Sequence, residues 1–412
     1  MAKKKERTEF TRQNYVSTFQ AVGKVVLNDK TFFLDQQSEK SDWIYNRLSL
    51  MIDCGPESGM AFVSCLGGYG SARDNVVYVH GKKPDGSDDF GNAYTISFED
   101  RKNETILAEL GRMCFKVAGL ERDTKGKTVY KNILTEYDFI EYISEHLEDG
   151  MVVNVRGNIQ YQFYNGNTSI NLNLTNIALS NAEPEDYRAR FTQSILIDES
   201  SKGEIDKETK ELDVSGYVLE WMKEYRGHDL GDGKSKKGEI APLPYSFKYK
   251  LNMENPELTK KAVKKLFGIK PGTVTLTTFE GMMVSSGAVV QMTEADLDDD
   301  IRELVSLGIM DLDEALTACA TNGNRERKMV LLRPRIKNTN QQDGTVTHEV
   351  QMFPEMYQQE DLNYFLEMTP PEEPEGDIGD AMNAPADEDE PDEVELNGEK
   401  KDDSDMSWLD DL

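Results

Sequence analysis

The sequence predicts a mainly β protein with short helices, organised as two tandem barrels followed by a disordered acidic C-terminal tail. Three observations predict it. Residues 16–180 carry alternating, aromatic-rich runs broken by glycine and asparagine turns. Each half of the body places one well-punctuated helix directly before a strand that a glycine interrupts. The segment Pro371 to Leu412 holds 18 acidic residues against two lysines, with four prolines and almost nothing apolar before its end. Such a composition cannot bury enough surface to offset its ordering entropy.

The elements of the first half follow in order. Val16 to Leu34 alternates apolar and aromatic residues around Gly23 and the turn Asn28-Asp29-Lys30. Tyr45 to Ile52 alternates as a half-buried strand does, and Gly59 to Leu66, Asn75 to His80 and Gly91 to Phe98 are further strands. Asn103 to Met113 reads as helical. A clearer helix covers Thr135 to Asp149, with Thr135 and Asp138 set as a capping box, Phe139, Ile140, Ile143 and Leu147 on one face, and Gly150 as a stop. Met151 to Tyr164 and Thr168 to Ile177 then form a long hairpin with Asn165-Gly166 at its tip. Curved strands, a helix, a Gly-kinked strand and a closing strand make up the order of the five-stranded OB barrel.

The second half repeats the plan. Arg190 to Asp198, Glu211 to Glu224 and Leu243 to Leu251 read as strands, with a Gly/Lys-rich loop from Arg226 to Gly238 between the last two. The next helix has Asn255 as N-cap, Pro256 in its first turn and Gly268 after its last. Its Leu258, Ala262, Leu266 and Phe267 are expected to face inward. Gly272 to Val284 echoes Gly150 to Ile159, and Lys328 to Lys337 is the closing strand. Two short helices, Glu294 to Ser306 and Leu312 to Asn322, stand between these strands and suit packing or a protein contact. The expected divisions are a basic N-terminal arm (1–15), barrel one (16–182), barrel two (187–362, with a helical insertion at 292–323) and the tail (363–412).

Composition limits the chemistry. The net charge of −29 argues against a broad basic face that grips duplex DNA. It leaves room for single-strand binding, in which stacking carries much of the energy. Cys54, Cys65, Cys114 and Cys319 form no CxxC pair, and His80, His146, His228 and His348 are scattered, so the sequence carries no metal spacing and no disulfide framework. Asp296 to Asp300 fails as a calcium loop because Ile301 stands at the glycine position. Gly67-Gly68-Tyr69-Gly70-Ser71 lacks the P-loop ending and reads as a turn. No nucleophile–base motif appears. The chain is expected to be a non-enzyme without cofactor or metal, soluble in the cytoplasm, with reduced thiols and no membrane span.

What remains is aromatic residues interleaved with basic ones on strands. In the first half these are Trp43, Tyr45 and Arg47, then Arg156, Tyr161, Phe163 and Tyr164. In the second they are Trp221, Tyr225 and Arg226, then Tyr245, Phe247, Lys248, Tyr249 and Lys250. Strand parity turns about half of any such set inward, so sequence does not decide which rings meet a ligand. The tail's tip, Met406, Trp408, Leu409, Asp410, Asp411 and Leu412, sets apolar anchors among carboxylates and suits a partner-binding segment.

The stretch Glu141 to Asn167 resembles the single-stranded-DNA-binding proteins of tailed phages, and the tail independently resembles the acidic C-terminus of bacterial and phage single-strand-binding proteins. The resemblance implies an OB-fold protein that coats single-stranded DNA without sequence preference in phage replication, recombination and repair. It also implies a tail that recruits replication and recombination proteins, in the cytoplasm of the host cell. Bacterial tips commonly end in Phe, whereas this chain ends Trp408-Leu409-Asp410-Asp411-Leu412, so the partner does not carry over. The competing expectation is an OB-fold scaffold or interaction module without nucleic-acid affinity, because the fold hosts many functions.

Overall fold

A computed structural model of the chain describes residues 9–39, 41–70, 75–164, 167–225, 236–286, 326–340 and 346–362. The fold is mainly β with few and short helices. Its elements in order are β1 (Ser17–Val26), β2 (Phe32–Gln37), β3 (Ile44–Asp53), α1 (Gly55–Ser58), β4 (Met60–Tyr69), β5 (Val76–Lys82), β6 (Asp88–Ser97), α2 (Glu104–Leu107), β7 (Lys116–Arg122), β8 (Thr128–Ile133), α3 (Glu136–His146), β9 (Val152–Tyr164) and β10 (Asn167–Leu179). The second half continues with β11 (Arg188–Ile197), β12 (Lys202–Asp206), β13 (Glu211–Tyr225), β14 (Lys236–Lys250), α4 (Pro256–Phe267), β15 (Thr273–Ser286), β16 (Glu326–Pro334), β17 (Ile336–Asn340), β18 (Val346–Val350) and β19 (Met352–Gln358).

Five strands of the first half close on themselves. β1 pairs with β3, β3 with β4, β4 in parallel with β10, β10 with β9, and β9 back with β1. In the second half β11, β13, β14, β16 and β15 close the same ring, again with one parallel contact between its third and fifth strands, β14 and β16. Each ring carries its helix between its third and fourth strands, which is the OB order.

Glycines fix the closure. Gly157 stands opposite Phe19, and a side chain there would run into the Asn173 carbonyl and the Phe19 ring. Gly281 stands opposite Phe191, where a side chain would meet the Phe191 ring and the Val330 carbonyl. The fifth strand of each ring bulges beside that glycine, at Thr175 and at Leu332. The two halves thus turn their corner with one device.

The helices plug the rings. Thr135 caps α3, its hydroxyl oxygen accepting the Asp138 N–H at 3.2 Å, and Phe139, Ile140 and Ile143 are fully buried against Leu48, Leu50 and Ile52. Burying side chains of this size is worth roughly 1.5–3 kcal/mol each. Asn255 caps α4 through the Leu258 N–H at 3.1 Å, and Phe267 stacks 6.0 Å from Phe279. The inward face of α4 differs from expectation. Leu258 is 59% exposed, and Thr259, Val263, Leu266 and Phe267 are the buried set, because Thr259 turns in to donate to the Asn252 carbonyl. The stretch expected as one helix from Asn103 to Met113 is a single turn, α2, flanked by 3-10 segments. Gly67 and Gly68 lie in strand β4 rather than in a turn, paired with Asn46 and Tyr45 of β3, and side chains there would collide with the start of α3 and with Ile44 and Trp43.

The rings are joined edge to edge. β1 and β11 pair antiparallel from Ser17↔Gln193 to Val22↔Arg188, making one continuous sheet. Polar groups at the joint are matched. The Tyr161 hydroxyl donates to Gln193 Oε1 at 3.1 Å, and its N–H donates to Glu220 at 3.1 Å. The Tyr15 hydroxyl accepts from Gln193 Nε2 and from the Leu219 N–H, both at 2.8 Å, and Arg12 binds Glu220. Phe10 packs 4.9 Å from Tyr357. The described part of the N-terminal segment is therefore packed against the second ring. The two helices expected within 292–323, the tip Asn165-Gly166, most of the Gly/Lys-rich loop and the acidic tail lie outside the described residues.

Candidate nucleic-acid interface

OB barrels present ligands to the outer face of their second and third strands. In the first ring these are β3 and β4. Leu48, Leu50 and Ile52 point to the core, so Tyr45, Arg47, Ser49 and Met51 occupy the outer face, opposite Gly68, Leu66, Ser64 and Phe62. Arg47 is the unusual member. It is only 8% exposed, its guanidinium lies over the Phe33 ring at 4.2 Å, and its Nε–H is buried without an acceptor among the described residues. No described carboxylate forms an ion pair with it. A buried N–H of a cation left without an acceptor carries a desolvation cost, so an arriving anion is favoured there. β2, which among the described strands pairs with β3 alone, supplies Phe33 and covers the guanidinium from one side.

Trp43 and Tyr45 flank Arg47. Their rings stack at 4.6 Å, and a side chain at Gly68 would meet the Trp43 indole Nε1 and the Tyr45 Cβ. Tyr45 is buried beneath Trp43, so Trp43, half-buried, is the ring of this pair available to a base. This site is the one sequence-derived cluster that the fold brings together whole.

The second ring is built differently. On β14 the rings Tyr245, Phe247 and Tyr249 alternate onto the core side, in edge contacts with Tyr161, with one another and with Phe267. Tyr249 is buried and cannot meet a ligand, and burial pushes the Tyr245 hydroxyl up to about 12. Lys248 and Lys250 do face outward, but they stand opposite Asp213 and Glu211, and Lys248 is bonded to Asp213. Among the described residues of this face, Trp221, 57% exposed, is the exposed ring. Tyr161 is also withdrawn from ligand contact. It is 3% exposed in the joint between the rings, and burial raises its hydroxyl pKa well above the ordinary value. Tyr164 and Tyr225 end β9 and β13, and Arg226 and the tail tip lie outside the described residues.

Sequence reasoning named Arg156 but missed its neighbour Arg190, and it missed a second group entirely. Exposed Arg156 and Arg190 stand on either side of Gln20, in register across β9, β1 and β11, so the joint between the rings carries cations on its outer face. Parity on Phe19 and Phe191 would have placed Arg190 there. The second group is the β5–β6 hairpin, which presents Tyr78 at 82% exposure and Phe90 at 64%, while Tyr94 stands opposite Val79 on the other face. Its turn, Lys83-Pro84-Asp85-Gly86-Ser87, is an overt signal, with Pro and Asp placed for a tight turn and Gly86 at φ +82°.

The same hairpin gathers chemistry that looked scattered in sequence. His80 Nε2 lies 2.7 Å from Asp88 Oδ1, and the Cys114 sulfur lies 3.4 Å from Nδ1 and 3.9 Å from Nε2. Near-equal distances put the sulfur off the lone pair of either nitrogen, so this contact does not have the alignment that proton transfer between them needs. Among the described residues, no group of His, Cys, Asp or Glu could hold a metal ion, and no helix is long and apolar enough to cross a membrane.

Residues 86–230, from the β5–β6 turn into the second ring, match a family model described as YorF. Among solved structures, the chain is similar to a deletion variant of the single-stranded DNA binding protein from Thermus aquaticus, at 10% identity and a TM-score of 0.27, covering 66% of this chain and 88% of that one. The wild-type Thermus aquaticus protein is similar at 9% identity and a TM-score of 0.27, with 66% and 86% covered. At that TM-score the likeness carries no weight for fold or function. No curated protein matches the chain.

Proposed function

We propose that the chain binds single-stranded DNA without sequence preference. The observation that carries this reading is Arg47: a guanidinium whose Nε–H is buried without an acceptor among the described residues, on the ligand face of an OB ring, beside a stacked Trp43–Tyr45 pair. A backbone phosphate satisfies the charge, and Trp43 offers a stacking face. Exposed Tyr78, Phe90 and Trp221 extend the supply of rings, each worth about 1–3 kcal/mol per stacked base. Single strands suit this surface better than duplex, because its cations are few and its rings need unpaired bases. The setting in phage replication, recombination and repair, and recruitment of partners by Met406, Trp408, Leu409 and Leu412, rest on the sequence resemblance. The acidic residues 371–412 would compete for the same cations when DNA is absent.

Neutralisation of Lys248 by Asp213 favours a second reading for the second ring alone, as a module that meets proteins rather than DNA. Fluorescence titration with labelled dT oligomer and with duplex of equal length, on the full chain and on a chain ending at Pro370, tests the proposal. Binding to dT over duplex, tighter after truncation, is the expected result. No binding of dT by either chain would leave only the interaction-module reading.

A further inference from the structure

We infer that copies of this chain associate head to tail by joining the two ends of the large sheet, β8 of one copy against β12 of the next. The strand order of that sheet begins at β12 and ends at β8. Among the described strands, β12 pairs only with β13, and β8 only with β7. Both edges are open: Val129, Tyr130, Lys131 and Asn132 of β8 are exposed, as are Gly203, Glu204 and Asp206 of β12. An edge strand leaves a row of N–H and C=O groups unpaired, and another strand can complete them.

Charge selects which edge meets which. β8 and its turn carry Lys125, Lys127 and Lys131 against Asp123, with Arg122 at the end of β7 and Lys131 bonded to Glu121, a net positive edge in a chain of net charge −29. β12 and its turns carry Glu199, Glu204, Asp206 and Glu208 against Lys202, Lys207 and Lys210, a net negative edge. Charged edges ordinarily block self-pairing. Here they block β8 on β8 and β12 on β12, while β8 on β12 is favoured. The contact is heterologous, so its repetition gives an open filament or a closed ring rather than an isologous dimer. It does not depend on the DNA reading, since neither edge includes Arg47, Trp43 or Trp221.

The test is sedimentation velocity of the full chain without DNA, over a range of concentration and salt, beside Lys125→Glu/Lys127→Glu and Glu204→Lys/Glu208→Lys. All four positions are exposed, and unchanged thermal melts check that each variant folds. The wild type should form species larger than a monomer that grow with concentration and disperse as salt screens the charges. Each variant alone should lose them, having two like-charged edges. An equimolar mixture should recover them, because each variant then offers the other's complement. A monomeric wild type at every concentration overturns the inference, as does a mixture that fails to recover. If the lysine variant weakens dT binding but sediments like the wild type, β8 belongs to a DNA surface and the edge contact falls.

Discussion

Phe19 and Phe191 stand directly opposite one another where β1 pairs with β11, and each covers the glycine of its own ring, Gly157 and Gly281. The row Gly157–Phe19–Phe191–Gly281 runs across four strands and both barrels. Equivalent residues face each other at its centre, so a local two-fold axis passes between the two rings. The corner that closes each barrel and the joint that ties them together are therefore one packed unit.

Substituting either glycine by alanine should then unsettle both rings. The added methyl meets a backbone carbonyl as well as a phenylalanine ring, and the carbonyl cannot move aside without breaking the ladder. Overpacking of this kind costs about 1–3 kcal/mol. Urea unfolding of Gly157→Ala and Gly281→Ala should show lower midpoints by that amount, with one cooperative transition retained. A midpoint equal to the wild type's would mean that the corner relaxes more freely than the packing indicates.

Arg47 separates a binding role from a structural one. A buried guanidinium without a carboxylate partner contributes little to folding, and an apolar residue of similar volume is often neutral or stabilising in such a place. Arg47→Met should keep or raise the melting temperature while weakening dT binding. It should also make the salt slope shallower by about 0.7, the loss of one phosphate contact on a single strand. A lower melting temperature with unchanged dT affinity would place Arg47 in the core rather than in the site.

Local signals made parts of this fold legible and left others hidden. Thr135, Asn255 and Gly150 act through hydrogen bonds and dihedrals within a few residues, and both caps form as the sequence indicates. The long hairpin and the glycine-kinked strands were legible for the same reason. Inward and outward assignment was not, because it depends on partners distant in sequence. Tyr161 turns inward on Gln193 and Glu220 of the other ring, and Tyr249 on Phe267. Lys248 reads as a free cation until the register puts Asp213 across from it. Leu258 loses its place in the core to Thr259, since a hydroxyl that reaches the Asn252 carbonyl can be buried.

Stability should fall on acidification through Asp138. Desolvation opposes its charge, but bonds from Thr135, Lys102 and Arg101 together outweigh it and hold the carboxyl below its ordinary pKa. A group with a lowered folded pKa contributes stability above its unfolded pKa, and that contribution is lost as pH falls through the folded value. Melting temperature followed from neutral pH downward should drop below the ordinary carboxylate range. Asp138→Asn should be less stable at neutral pH by about 1–3 kcal/mol, as for loss of a bond to a charged group. Its dependence in the acid range should be flatter. An equally steep acid loss in the variant would assign the effect to other carboxyls.

Thiol labelling gives an independent reading of which surfaces open. Only the thiolate reacts readily with disulfide reagents. Cys54 and Cys65 are buried in the first ring, where desolvation first, then the nearby Asp53 and Glu136 carboxylates, push their thiols up to about 12. At mildly alkaline pH each is both neutral and inaccessible. Cys114 is partly exposed at the base of the β5–β6 hairpin, against His80. In a Cys319→Ser background, one thiol should react in the folded protein and the remaining two only at the rate of unfolding. Adding dT oligomer should slow Cys114 if the hairpin rings Tyr78 and Phe90 stack on bases, because DNA lying there shields the thiol beneath. Labelling of Cys114 that ignores saturating dT would remove the hairpin from the interface and leave Arg47 and Trp43 as its centre.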